Sequence, residues 1–311
     1  MLFKSTSFIL ILLCVNTNVF SQSNLLNAKI PEEIGQKSEA QLNADNDKPL
    51  PYGYVHDRDI LFGKRVWEVI DLNERMNFPL YFPTEDNRIG DGRKSLYTVL
   101  LENIDNGFLA DNLYDDSYFS MKKTPEQAKS ALFAKALTEE SYTIVNRYQG
   151  VKTEEQLLEE GILTIENYNT QKVAAKDIIQ YKVVGFWYFD KRQAEMKYRI
   201  LGICPMAVDA LTKLNGTENA EPIELFWVFM PSVRDILHEA KAFNDRNSAM
   251  PISFDHLLNS RRFSAVIIKE ENVYGDRAVK EYMAENALNQ LLESKRILEK
   301  IRDIEQDMWN Y

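Results

Sequence analysis

Three kinds of side chain could do chemistry in this chain: imidazoles, adjacent carboxylates and a thiol. The three histidines, His56, His238 and His256, stand far apart in sequence. None falls in an HExxH or HxH spacing, the arrangements that bring two imidazoles onto one metal ion. The acidic pairs Asp115-Asp116 and Glu154-Glu155 invite comparison with a glycosidase, whose two carboxyls must face each other ~5 to 10 Å apart across a cleft. Neighbouring carboxylates more commonly form a solvated surface. No Gly-x-Ser-x-Gly elbow is present, and Gly90-Asp91-Gly92 is too short to cradle a phosphate. No catalytic, cofactor-binding or metal-ligating residue emerges, and no cofactor is expected.

The thiol depends on where the chain goes. Lys4 precedes an apolar run from Phe8 to Val15, and Val19-Phe20-Ser21 fits the residues before a leader-peptidase cut. Residues 1–21 therefore read as a signal peptide, with Gln22 the first mature residue. The apolar run is far shorter than the ~20 residues a spanning helix needs, and Leu13 stands before Cys14 where a lipobox wants a small residue. Cys204 is then the one cysteine left after processing, which rules out an internal disulfide. It reads as a small buried hydrophobe at a strand end, with Pro205 ending that strand, or as a candidate intermolecular thiol.

Export also changes the charge balance. The formal net charge of −10 becomes −11 when Lys4 leaves with the leader. Nucleic acid requires a clustered basic surface, and the densest basic runs are Lys122-Lys123 and Arg261-Arg262, which read as solvated pairs. No nucleic-acid partner is expected, and membrane association is expected only through partners.

The elements read as follows. Residues 22–50 are rich in Asn, Glu, Gln and Asp and poor in large apolar groups, so they read as a flexible arm. Residues 51–311 read as the globular part. From Asp57, the spacing of Ile60, Leu61, Val66, Trp67, Val69 and Ile70, with Glu68 largely opposite, predicts a core-packed helix. A second helix is predicted from Ser95 to Ile104. Thr124-Pro125-Glu126-Gln127 is a capping box, with its helix running on through Ala136. Val183 to Phe189, a polar turn, and Met196, Tyr198 and Ile200 alternating with Glu195, Lys197 and Arg199 predict a β-hairpin. Leu225 to Met230 and Phe263 to Ile268 supply two more strands. The fold class expected is α+β, a mostly antiparallel sheet with flanking helices and a long C-terminal helix over about 277–309. The sheet is expected from segments near 181–189, 195–204, 224–230 and 263–269, with Phe186-Trp187-Tyr188-Phe189 at its centre.

Continuous, that last helix would extend ~48 Å at ~1.5 Å per residue. Its apolar stripe names Leu298, Ile301, Ile304 and Met308 as a candidate interface. Arg58-Asp59-Ile60-Leu61 reappears as Arg234-Asp235-Ile236-Leu237, a weak echo more simply read as coincidence.

Several of these segments also carry a resemblance. The strings VVGFWYFDKRQAEMKYRILGICP (183–205), ELFWVFMPSVRDIL (224–237) and SFDHLLNSRRFSAVIIKEENVYGDRAVKEY (253–282) resemble the GldN family, also called PorN, of gliding motility and type IX secretion proteins. PYGYVHDRDILFGKRVWEVIDLNERMNFPLYFP (51–83) and GRKSLYTVL (92–100) extend the likeness upstream. The resemblance implies a non-enzymatic periplasmic subunit that joins the lipoprotein GldK (PorK) in a ring at the inner face of the outer membrane. It also implies contacts with the motor components GldL and GldM (PorL and PorM) and self-association within the ring. The alternative from the residues alone is a periplasmic cell-envelope glycan hydrolase working through paired carboxylates.

Overall fold

The computed structural model describes residues 48–85, 93–148, 154–164, 167–216, 220–244, 252–284 and 286–309. The expected leader, the expected arm up to residue 47, and Gly90-Asp91-Gly92 lie outside the described residues. The strands are β1 (Ile60–Asp71), β2 (Leu113–Tyr114), β3 (Phe133–Leu137), β4 (Tyr168–Lys172), β5 (Ile178–Asp190), β6 (Glu195–Ala207), β7 (Ile223–Glu224), β8 (Trp227–Phe229), β9 (Lys241–Ala242), β10 (Ile252–Ser253) and β11 (Val266–Glu270). The helices are α1 (Phe78–Tyr81), α2 (Leu96–Asp105), α3 (Pro125–Leu132), α4 (Glu139–Arg147), α5 (Glu154–Glu159), α6 (Ala210–Leu214), α7 (Arg234–Glu239), α8 (Phe254–Asn259), α9 (Val279–Tyr282) and α10 (Ala287–Trp309). The architecture is α+β.

The expected hairpin is the spine of a seven-stranded antiparallel sheet ordered β11-β1-β5-β6-β8-β2, with β7 paired to β6. Its register runs from Asp190 opposite Glu195 to Ile178 opposite Ala207. The turn closes with Ala194 in the left-handed region, φ +52°. The aromatic run 186–189 lies on β5 between β1 and β6, as expected.

The first predicted helix is instead β1, the longest neighbour of that hairpin. Val66, Trp67, Glu68 and Ile70 are all buried, because β1 lies between β11 and β5 and is covered on both faces. A strand buried on both faces loses its alternation, so periodicity cannot separate it from a helix. The β-branched and aromatic content of Val66, Trp67, Val69 and Ile70 favours the strand. The echo dissolves with it, since Ile60-Leu61 begin a strand and Ile236-Leu237 lie in α7.

Other boundaries shift for local reasons. Ser95 caps α2 by accepting from the Thr98 amide at 3.2 Å. Thr124 and Gln127 close the capping box in both directions, at 3.2 and 3.0 Å. That helix ends at Leu132 and not at Ala136, because Phe133–Leu137 pair with β4. The strand expected over Leu225 to Met230 is only Trp227–Phe229, and the one expected from Phe263 starts at Val266. The long C-terminal helix is broken: α9 ends at Tyr282 and α10 begins at Ala287. At ~1.5 Å per residue α10 spans roughly 35 Å.

Alternation along the strands sorts the core into faces. One face carries the main cluster, with Ile70, Tyr97, Leu100, Tyr181, Val183, Ile200 and Ile203. Beside it is a smaller cluster of Val66, Ile267, Val279, Ile297 and Ile301, which seats α9 and α10. Tyr198 packs against both. The opposite face holds Trp67, Val184, Cys204 and Trp227.

Tyr198 reaches that position by lying over Gly185, where an added Cβ would stand 2.2 Å from its ring. Gly185→Ala is expected to lower unfolding stability by about 1–3 kcal/mol through overpacking. Gly53→Ala, with open space around it, should stay within about 0.5 kcal/mol. Urea melts of the two variants beside the parent chain make the comparison.

Candidate functional site

Glu68 is the least expected group in the core. Its residue exposure is 1%, and one carboxylate oxygen accepts from Arg261 Nη2 at 3.0 Å while the other accepts from the Tyr198 hydroxyl at 2.8 Å. Arg261 is held with φ +49° just after α8. Its guanidinium lies 4.1 Å from the Tyr198 ring centroid and 5.1 Å from that of Trp187. Burial drives the Tyr198 hydroxyl well above the ordinary phenol range, and Glu68 adds to the effect while Arg261 opposes it. The Arg261-Arg262 pair, expected to be solvated, therefore contributes Arg261 to a buried ion pair at the junction of the two clusters. Sequence reasoning had no signal for this, because the partners are 193 residues apart.

The opposite face bears a ladder of cations on aromatics. Lys269 Nζ lies 4.3 Å from the Trp67 centroid and donates to the Tyr118 hydroxyl at 2.9 Å. Tyr118 in turn donates to Asp276 at 2.8 Å. Near the start of the described chain, Tyr52 lies between Arg199 and Arg234, with centroid distances of 4.4 and 4.1 Å. Arg234 forms a two-pronged bond with the buried Asp255 at 2.8 and 3.0 Å. These contacts fix loops onto the sheet.

The expected acidic pair at 115–116 is likewise structural. Asp115 pairs with Lys123 at 2.7 Å. Asp116 accepts from the Ser120 and Met121 amides, each at 3.0 Å. Burial works against its charge, yet these bonds and the Ser120 hydroxyl hold its carboxyl below the usual range. Glu154 and Glu155 begin α5. Among the described residues no three His, Cys, Asp or Glu side chains gather to hold a metal, and no helix is long and apolar enough to cross a membrane.

Cys204 is fully buried beside Trp67, Val184 and Trp227. Burial pushes its thiol pKa up, disfavouring the thiolate. Pro205 does not end the strand, since β6 continues to Ala207 and Pro205 pairs opposite Tyr181. In the folded chain the sulfur is packed in the core and is not presented at the surface.

The four candidate interface residues separate. Ile301 is 3% exposed inside the small cluster, so it belongs to the chain's own core. Ile304 and Met308 are half-buried. Leu298 is 45% exposed, and Leu288, Leu291 and Leu292 on the preceding turns are also exposed. The open apolar ridge thus lies in the first half of α10, flanking the buried stripe of Ser294, Ile297 and Ile301. Ser294 Oγ ties that stripe to the sheet edge by accepting from the Ile267 amide at 2.9 Å. A groove of about 320 Å³ runs along one flank, lined by Trp187, Met196, Leu298, Ile301 and charged α10 side chains. On the other flank a groove of about 270 Å³ is lined by Phe62, Lys64, Lys300 and Ile304 among others. The geometry suits a protein contact.

Comparison with known protein families matches residues 55–310 to the family described as gliding motility associated protein GldN. The chain belongs to the GldN family. No curated protein matches it. Membership makes it a gliding motility-associated protein, and the GldN match covers the sheet, the buried ion pair and all of α10.

Two outcomes follow for the GldN core. Arg261→Met and Glu68→Gln are each expected to cost about 3–5 kcal/mol, as breaking one side of a buried pair does. Glu68→Leu with Arg261→Met should cost clearly less than the sum of Glu68→Leu and Arg261→Met made singly, a coupling read in that double-mutant cycle. Glu293 in α10 accepts from Arg296 and Tyr282, and its carboxyl is held below the usual range chiefly by Arg296. Because the folded value is depressed, its stabilisation is present above the unfolded value of ~4.3 and is lost as pH falls through the folded one. Glu293→Gln should flatten the part of an acid-unfolding profile that lies below the unfolded carboxylate value.

Proposed function

We propose that this GldN-family chain is a non-enzymatic structural subunit of the type IX secretion and gliding machinery. In this reading the mature protein works in the periplasm, joins the lipoprotein GldK in a ring at the inner face of the outer membrane, and meets the GldL and GldM motor components. The reading rests first on family membership. The structural observation that carries it is the division of α10: Ile297 and Ile301 are spent on the chain's own core, while Leu288, Leu291, Leu292 and Leu298 remain open to solvent. An apolar ridge beside a groove is the form a protein-docking surface takes. The paired acids that a glycan hydrolase would need are engaged at Asp115 and Asp116 in shaping one loop.

The division of α10 makes a test with opposite signs. Leu291→Asp with Leu298→Asp should leave the monomer's melting temperature within a few degrees of the parent and abolish co-purification with the lipoprotein from outer-membrane fractions. Ile301→Asp should unfold the monomer, since it places an unpaired charge in the core. Normal assembly and secretion by the double leucine variant would refute the docking role of the ridge.

A further inference from the structure

The chain holds two asparagine–glycine dipeptides, and both end helices: Asn106-Gly107 follows α2 and Asn215-Gly216 follows α6. Each asparagine is exposed. Each glycine takes the left-handed conformation that closes a helix, φ +80° and +67°. Its amide donates back into the helix at 3.2 Å in both cases, from Gly107 to the Ile104 carbonyl and from Gly216 to that of Lys213. Asparagine before glycine is prone to lose its side-chain amide, because a residue without Cβ leaves the next backbone nitrogen open to approach. The glycine nitrogen attacks Cγ of the asparagine, an N–C bond forms, and ammonia leaves with the proton that the backbone nitrogen gives up. Water then opens the cyclic imide at either carbonyl, giving aspartate or isoaspartate. The sum is hydrolysis of one amide, with nothing oxidised or reduced.

Attack requires the glycine nitrogen to give up its hydrogen bond, so the rate follows how readily each turn opens. The two turns differ in what holds them shut. α2 is 10 residues long and buries Leu96, Tyr97, Val99, Leu100 and Ile104. Gly107 is tied through both its backbone groups, since its carbonyl also accepts from the Ala110 amide at 3.2 Å. The next residues are anchored too: the Leu109 amide donates to the Asn103 carbonyl at 3.2 Å, and the Leu109 side chain is fully buried. α6 is 5 residues long and buries only Ala210 fully, with Leu214 partly packed and Leu211 54% exposed. A single helical turn is unstable without support. Its polar supports, the Asp209 cap and the Lys213–Asp177 pair at 2.6 Å, both lie upstream of Asn215. Among the described residues Gly216 is held through its N–H alone.

From this contrast we infer that Asn215 is a site of spontaneous amide loss in the folded chain, while the fold protects the same dipeptide at Asn106. The product is a new carboxylate at the C-terminal end of α6, where the helix dipole already presents negative charge. Isoaspartate also inserts an extra carbon into the backbone and so displaces the Gly216 amide from Lys213. Because α6 lies against β3 and β4, conversion loosens the helix on that two-stranded ribbon. The inference goes beyond the proposed function and does not depend on it.

The test incubates the full mature chain in mildly alkaline buffer, folded and in urea, and follows both dipeptides by peptide mapping with mass spectrometry and an isoaspartate assay. In the folded chain Asn215 should convert at least about tenfold faster than Asn106, the ratio for turns whose open populations differ by one decade. In urea, where neither turn is held, the two rates should agree within about twofold. Asn215→Gln should remove the conversion at that peptide and leave the rate at Asn106 unchanged. Three results would each overturn the inference: Asn106 converting as fast as Asn215 in the folded chain, Asn215 staying intact when folded while it converts in urea, or the same ratio in urea as in the folded chain. The last would trace the contrast to neighbouring residues and not to the fold. A glycan on Asn215, whose Asn215-Gly216-Thr217 spacing also fits a glycan acceptor, would overturn it as well.

Discussion

Glu68 places a carboxylate where the sheet has almost no water, and much of the fold follows from satisfying it. Removing a charge from water costs several kcal/mol unless pairing and hydrogen bonding offset it. Both oxygens of Glu68 are therefore engaged, by Arg261 and Tyr198. Arg261 must leave α8 in a left-handed turn to reach it, and Tyr198 must lie flat over a residue with no side chain, which fixes Gly185. The ion pair also marks where the main core ends and the α10 cluster begins. Two apolar clusters that could slide past each other are given one register by a directional contact between them.

That register determines what α10 has left to offer. Its buried stripe must meet Val66 and Ile267 at the sheet edge, so its leucines at 288, 291, 292 and 298 are turned outward or to the flank. A helix with one side in its own core and an apolar ridge beside it is half of an interface. The grooves on its two flanks belong to the same surface.

The hairpin was legible because its signals were local: an apolar run, a polar turn and strict alternation in Met196, Tyr198 and Ile200. The caps at Ser95 and Thr124 were legible for the same reason, since capping chemistry spans only a few residues. β1 was not, because coverage on both faces erased the alternation that distinguishes strand from helix, and Glu68 looked like the polar side of an amphipathic surface. Its partner Arg261 looked like half of a solvated basic pair. Only the fold brings residues so distant in sequence together. In α10 the apolar stripe was visible, but which leucine faced the sheet depended on where the helix broke before Ala287. Leu298 and Ile301 were grouped for that reason, and the structure separates them.

The central claim is that α10 divides into a side committed to the subunit and a side kept for assembly. Hydroxyl-radical footprinting of the mature protein, free and in the complex recovered from outer-membrane fractions, tests it residue by residue. Leu288, Leu291, Leu292 and Leu298 should be oxidised in the free protein and protected on assembly, while Ile297 and Ile301 should be protected in both. Equal labelling of the four leucines in the two states, or strong labelling of Ile301 in the free protein, would contradict the account.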